Sequence, residues 1–393
     1  VSLLFGPQRA RSADGLAGTL VALQTALRMG GSTGSVAVTQ HTALRHSAVW
    51  ASRRLRADLV SSLPAGSYRQ VGGVLIEMAP PQLLVEPSPG VSWPEWMWAS
   101  QFDLDGYGNC FGLIKARNAL GLPTRIDLVS AGDVGVRVKD GVIVEYRIGQ
   151  KTYKPEEVWH ERQYAPAGML VGLCPVAYAA WSIGAYLSAQ EFALNWFGAG
   201  AVPSGILKNT EKSLTTQQAS EAKRTFRAAA QSRDIIVLDK RWEYKMADAE
   251  YSSSAFLEEM RYGAVDVCRF FGVPSDLIDA AVSGQAVTYA NISQRNLQLL
   301  TMNLGPVIVR REAALTTVTP RPRRVILDQD ALMRMDPQTR ADVQAKQITS
   351  RILTPDEARA ENQRRPLTDD DYAQFDRLFP PRAATKPTTE VTP

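Results

Sequence analysis

The chain has 393 residues, 45% of them hydrophobic and 21% charged, enough to bury a sizeable core and ordinary for a folded protein. A net charge of +4 does not by itself identify a nucleic-acid binder, although a local basic patch could still act as one. Cys110, Cys174 and Cys268 are far apart and form no C-x-x-C, which argues against a disulfide framework or a cysteine zinc site and suits a reducing compartment. The first residues lack the pattern of a signal peptide, and the most apolar helical stretch, 176–197, is interrupted by Gln190, Glu191 and Asn195. No membrane span is therefore expected, and the cytoplasm is the default address.

In chain order, residues 1–40 are rich in Gly, Ser, Thr and Ala and read as a flexible arm. A helix is predicted over about 42–61, with Leu44, Ala48, Ala51, Leu55 and Leu59 on one face and Arg53, Arg54 and Arg56 mostly off it. Ser92 and Glu95 form a capping-box pair, so a second helix starts there and carries Trp96, Met97 and Phe102. Strands follow: Val134, Val136 and Val138 alternate, Asp140-Gly141 supplies a type I′ turn, and 142–148 returns as a hairpin. Pro175 opens a long helix to Phe197, closed by Gly198-Ala199-Gly200. A compact insert then offers a strand at 206–208, a polar helix capped by Thr215 with Gln218 at the third position, and strands at 235–238 and 242–246.

From 252 to 271 the apolar positions Phe256, Met260, Ala264, Val267 and Phe271 fall on one helix face, and Gly272 with Pro274 ends the helix. A loop of small residues comes next: Asp279, Ala280, Ala281, Val282, Ser283, Gly284, Gln285, Ala286, Val287 and Thr288. A second helical run begins near Tyr289 and meets Gly305-Pro306, a pair expected to break or kink it. After Arg321-Pro322-Arg323-Arg324 come a strand at 325–327 and two short helices, started by Asp336-Pro337 and Thr354-Pro355. Residues 380–393 read as a disordered tail. The fold class is α+β.

Enzyme chemistry finds no footing. Gly30-Gly31-Ser32-Thr33-Gly34 matches the letters of a nucleophile elbow, but that elbow needs a strand before it and a helix after it. The linker reading is favoured. No phosphate-binding GK[S/T] loop occurs, and Gly106, Gly108 and Gly112 miss the dinucleotide spacing and suit close backbone packing instead. His41 and His46 are five apart, which does not place two ligands on one helix face, and His160 reads as a packed or surface histidine. Asp103/Asp105 and Asp328/Asp330 are the candidate metal pairs, with a solvated acidic pair the commoner case. The clusters Arg53/Arg54/Arg56, Arg310/Arg311, Arg321/Arg323/Arg324 and Arg364/Arg365 read as solvated faces or partners in inter-subunit ion pairs. The tryptophans at 93, 96 and 98 read as core or interface anchors, and neither a metal nor a cofactor is expected.

The order of these elements resembles portal proteins of tailed double-stranded DNA bacteriophages, of the shorter kind found in long-tailed phages. The stretch from Val38 through Trp50 to Pro64 looks like the opening helix of that family. Leu84-Val85-Glu86-Pro87-Ser88-Pro89 and Gly108-Asn109-Cys110-Phe111 resemble two of its short blocks, with Ser88 and Cys110 as departures. Phe270-Phe271-Gly272-Val273-Pro274-Ser275-Asp276-Leu277-Ile278 is the most specific match. The resemblance covers about 36–367 and implies a portal fold with an α/β wing, a helical stem, a small α/β clip and a helical crown. By position, the arm is 1–40, the wing 41–175, the first stem helix 176–202, the clip 203–248 and the second stem helix 249–276. The channel loop is 277–289, the kinked helix and a wing strand 290–335, the crown 336–379 and the tail 380–393.

The resemblance also implies a non-enzymatic ring, usually of twelve subunits, at one capsid vertex of the virion, built in the host cytoplasm. Double-stranded DNA would pass through it in packaging and ejection. The partners would be a terminase packaging motor, a head–tail adaptor and the major capsid and scaffold proteins. A channel for moving DNA should avoid a dense collar of cations, and Asp279 to Thr288 contains no Lys or Arg. Electrostatic contacts to DNA or the motor are expected instead on the clip or its approach, at Lys208, Lys212, Lys223, Arg224 and Arg227; a solvated helix is the plainer reading of these. The competing readings are another head–tail connector or minor capsid protein, and a hydrolase using Ser32.

Overall fold

A computed structural model describes residues 37–198, 205–209, 213, 215–232, 242–246, 253–278, 295, 297–329, 337–362 and 364–378. The chain divides into two units, Val1–Asp328 and Gln329–Pro393. The Gly30–Gly34 motif with Ser32, the whole of Asp279 to Thr288, the strand expected at 235–238 and the tail lie outside the described residues.

The first unit opens with two helices where the sequence suggests one. The short α1, Gln40–Ala43, is closed by reciprocal bonds between Thr39 and Thr42. His46 then turns extended and caps α2, Ser47–Ser61, its Nδ1 accepting from the Ala48 amide at 3.2 Å. The side of α2 that is buried also differs from expectation. It holds Ala48, Val49, Ser52, Arg53, Arg56, Ala57 and Val60, so Arg53 and Arg56 lie within the buried stripe. α2 is enclosed by other helices, and its inner arginines find partners there instead of water.

Strands β1, Ala65–Val71, and β2, Val74–Met78, form a hairpin through Gly72 and Gly73, which both take positive φ. The sheet is completed by β11, Arg323–Leu327, antiparallel to β1 and far away in sequence. Next come the one-turn α3, Gln82–Val85, and the expected helix α4, Trp93–Tyr107. Ser92 caps α4 at the Glu95 amide, and Gly108 ends it at φ 72°. A side chain at Gly108 would run into the Leu173 carbonyl. The sheet β4–β3–β8 uses Asn109–Arg117 as its central β3, with Pro123–Val129 as β4 and Val158–Arg162 as β8. A second sheet holds the expected hairpin, β5 (Val134–Lys139) and β6 (Val142–Ile148), turning at Asp140 and Gly141 with φ of 51° and 76°. β7, Lys151–Tyr153, extends it.

The long helix from Pro175 is interrupted once, giving α5 (Pro175–Tyr178) and α6 (Ala180–Gly198). In the insert, β9 (Gly205–Asn209) pairs antiparallel with β10 (Trp242–Met246) around α7 (Thr216–Ser232). Thr215 and Gln218 cap α7 reciprocally. α8, Ser253–Phe271, packs Val267, Cys268 and Phe271 into one core with Val49 of α2 and Ile183 and Leu187 of α6. Gly272, at φ 61°, and the Val273 amide bonded to the Cys268 carbonyl (3.0 Å) end it as the sequence suggests.

Gly305-Pro306 does not break its helix. Residues Leu299–Leu304 widen into a π turn whose Gly305 amide bonds back to the Leu300 carbonyl, and α9 runs on over Gly305–Thr317. The wider turn absorbs the residue whose ring would otherwise clash with the preceding turn. In the second unit, α10 (Pro337–Thr349) and α11 (Pro355–Glu361) match expectation. α12 (Asp369–Leu378) is an addition, capped by Thr368 with Asp371.

Candidate functional site

The residues on either side of the 279–288 segment are held by three polar contacts. On the incoming side, Arg56 of α2 donates from Nη1 to the Phe271 carbonyl at 2.8 Å, the last turn of α8. Arg56 is 2% exposed and is itself fixed by Asp105 of α4, with Nε and Nη2 at 3.0 and 2.9 Å from Oδ1. One residue on, Asn303 of the π turn donates from Nδ2 to the Gly272 carbonyl at 2.6 Å. The third contact joins the two sides directly: Asp276 and Arg295 form an ion pair at 2.5 Å. The helix before the segment and the helix after it are thus tied to each other and to α2 and α4.

Beside Arg56 lies a second buried cation. Arg53 donates to the Phe102 carbonyl (2.6 Å) and to Gln40 Oε1 (3.2 Å), and its guanidinium sits 3.8 Å over the Phe102 ring. Gly106 makes room for it, since a β-carbon there would meet the guanidinium. Gln40 Nε2 and Cys174 Sγ share the Gly106 carbonyl at 2.8 and 3.2 Å. A third buried cation, Arg311 of α9, pairs with Glu161 of β8 at 2.7 Å and donates to Ser100 Oγ of α4 at 2.6 Å. Burial pushes the Glu161 carboxyl up to about 7 while Arg311 pulls it back, and burial likewise lifts Asp103 to about 6. His46, stacked on Tyr186 with ring centroids 3.7 Å apart, is driven down to about 4 by burial.

Two expectations are therefore corrected. The Arg53/Arg54/Arg56 and Arg310/Arg311 clusters are not simply solvated faces, because Arg53, Arg56 and Arg311 are buried and hydrogen-bonded while Arg54 remains exposed beside Asp58. Asp103/Asp105 is not a solvated acidic pair either: Asp105 neutralises Arg56, and Asp103 Oδ2 accepts the Ala131 amide at 3.1 Å. The missed partners had one signal in the sequence, since Val49, Arg53, Arg56 and Val60 fall four, three and four apart. Nothing comparable pointed to Asp105 as the partner of Arg56, to Glu161 as that of Arg311 or to Asn303 as the donor to Gly272, because those contacts bridge distant segments.

Lys208 is exposed on β9 opposite Glu243, and Lys223 and Arg224 are exposed on α7. Lys212 and the Arg227 side chain lie outside the described residues. Gly305 and Pro306 sit directly after the π turn. His160 is packed: it stacks on Phe111 at 4.3 Å between ring centroids, with Tyr146 Oη at 3.0 Å from Nδ1 and Asn109 Oδ1 at 3.1 Å from Nε2. Trp93 and Trp96 are core residues, stacked on each other. Among the described residues no group of His, Cys, Asp or Glu could hold a metal, and no helix is long and apolar enough to cross a membrane.

Two long helices, α6 and α8, flank an α/β insert, α8 is tied to the helical turn that follows it in the chain, and three small antiparallel sheets complete a mixed helix-and-sheet architecture, that of the portal fold. The chain belongs to the phage portal protein family, which matches residues 47–362. It is 27% identical over 357 residues to a probable portal protein of Streptomyces phage phiC31, covering 84% of this chain and 77% of that protein. It is 25% identical over 293 residues to the portal protein of Enterobacteria phage HK97, covering 72% and 69%. Its fold resembles the crystal structure of an HK97-family phage portal protein from Corynebacterium diphtheriae, with a TM-score of 0.61, 19% identity and coverage of 77% of this chain and all of that one. It also resembles a chain in the neck of a native gene transfer agent particle computed with C12 symmetry, with a TM-score of 0.55, 21% identity and coverage of 90% and 100%. Portal proteins are structural components of phage particles.

Proposed function

We propose that this chain assembles head to tail into a closed ring of twelve copies at one capsid vertex, and that double-stranded DNA passes through the ring in packaging and ejection. In this reading the ring hydrolyses nothing. A terminase motor docks at the clip (203–248), a head–tail adaptor joins after filling, and capsid and scaffold proteins surround the wing (41–175), with assembly in the host cytoplasm. The stem is 176–202 with 249–276, the channel loop 277–289, the kinked helix 290–335 and the crown 336–379.

One observation supports the proposal: a ten-residue segment without Lys or Arg, Asp279 to Thr288, lies in the sequence between residues held by the buried Arg56, by Asn303 and by the Asp276–Arg295 ion pair. A part that touches moving DNA needs firm roots and a surface that does not grip phosphate, because every neutralised phosphate adds affinity in each subunit. Head-to-tail rings need two different complementary surfaces and close only when the rotation fits. Native mass measurement tests the ring: twelve subunits of 43.1 kDa give about 500 kDa. A monomer at every concentration, alone and with scaffold protein, would overturn the reading. Deleting 281–286 should alter packaged DNA length or retention. Reversing the charge at Lys208, Lys223 and Arg224 should impair packaging if the clip helix meets DNA or the motor; normal packaging would return these residues to a solvated face.

A further inference from the structure

The sheet of β11, β1 and β2 extends beyond its own core. Ser67, Val325 and Leu327 are buried, but two residues further along the Ser67 face the rows leave the protein interior. There Arg323, Arg69 and Ile76 lie side by side across the three strands, followed by Val71 beside Val74. Val71, Val74 and Ile76 are 48%, 65% and 48% exposed, and Leu75 on the opposite face is 47% exposed.

Among the described residues β2 is also the edge of this sheet, and Val74–Met78 contains no proline, lysine or bulge. Sheets normally guard such an edge with those devices, because unpaired backbone groups flanked by apolar side chains invite another strand. The charges beside it are unbalanced as well. Arg69 and Arg323 face each other across neighbouring strands, a like-charge arrangement that disfavours the sheet in isolation. Among the described residues no carboxylate forms an ion pair with Arg69, Arg321, Arg323 or Arg324. Glu77 lies on the other face, opposite Tyr68.

We propose that β2 is a docking edge for an extended, acidic segment of a partner protein, which adds a fourth strand to this sheet. The exposed apolar side chains favour protein over nucleic acid, since a duplex would leave them uncovered while an added strand with alternating apolar residues would pack against Val74 and Ile76 on one face. The arginines set the partner's charge. With strands about 4.8 Å apart, Arg69 lies roughly 10 Å from the added strand, a gap that an arginine and a glutamate side chain together can span.

The test titrates the full chain with a synthetic peptide of alternating valine and glutamate, with its valine–lysine counterpart and with duplex DNA. It reads fluorescence anisotropy together with hydrogen exchange at Val74–Met78. The expected result is binding of the glutamate peptide with slowed exchange at Val74–Met78. Arg69→Glu and, separately, Val74→Lys should each weaken it about fivefold to tenfold. Both residues are exposed, and unchanged thermal melts would certify the variants as folded. Several outcomes would each overturn the proposal: no binding, equal binding of the lysine peptide, or full affinity in both variants. So would the same protection from duplex DNA, or protection by self-association without peptide.

Discussion

Replacing Arg56 with methionine removes a guanidinium that is 2% exposed, bound to Asp105 and to the Phe271 carbonyl, while keeping most of its volume. Asp105, 1% exposed, is then left without its counter-ion, a situation that destabilises a protein by about 3–5 kcal/mol. The Phe271 carbonyl loses a donor, which adds about 1 kcal/mol or more if no water replaces it. Asp105→Leu alone leaves the arginine unpaired and should be comparably harmful. The double variant buries two apolar side chains and no charge, so its loss should fall well short of the sum, with a coupling of about 2 kcal/mol or more. Chemical denaturation of all four proteins measures this cycle. Hydrogen exchange at the amides of 272–278 reports the local consequence, and these should exchange faster in Arg56→Met because the end of α8 loses its tie. Additive losses, or unchanged exchange at 272–278, would refute the claim that Arg56 couples α4 to the end of α8.

His46 has a folded-state pKa of about 4 against an ordinary 6.5, so acid favours the unfolded chain: its contribution is complete above pH 6.5 and is lost as pH falls towards 4. At 1.36 kcal/mol per unit this is at most about 3 kcal/mol. His46→Phe should therefore gain on the wild type in denaturation midpoint as pH drops from 7 to 4.5, and a difference independent of pH would contradict the assignment. Arg295→Ala cuts the bridge to Asp276 and should speed proteolysis between the two residues with little change in global melting. Equal cleavage rates would show the bridge to be idle. Gly108→Ala forces a side chain into φ 72° and against the Leu173 carbonyl, so thermal melting should show a loss of about 2–4 kcal/mol.

Local signals were the legible ones. Ser92 with Glu95, Thr215 with Gln218 and Thr354 with Glu357 each mark a helix start that the structure contains, because a cap is decided within four residues. The turns at Asp140-Gly141 and Gly272 follow from backbone freedom at single positions. The Gly72-Gly73 hairpin and the Thr368–Asp371 cap were equally local and passed unread. The mount lay beyond this kind of reading. Whether Arg56 is solvated or buried depends on α4 and α8, which reach it from residues about 50 and 215 positions away. A charged residue on a helix looks like surface until its partner is known. The π turn was hidden for a related reason: Gly305-Pro306 announces a disturbance, but its neighbours decide whether the helix stops or widens.

The bridge between Asp276 and Arg295 has a consequence for how this protein can change over generations. It closes the chain on itself before the segment between them begins, so the two ends of that segment are held together. Lengthening such a loop is inexpensive: each doubling adds only about 0.6 kcal/mol of closure entropy. Residues can be inserted, removed or exchanged there without loosening α8, the π turn or α2. The bridge thus separates the cost of changing this segment from the packing of the helices on either side of it.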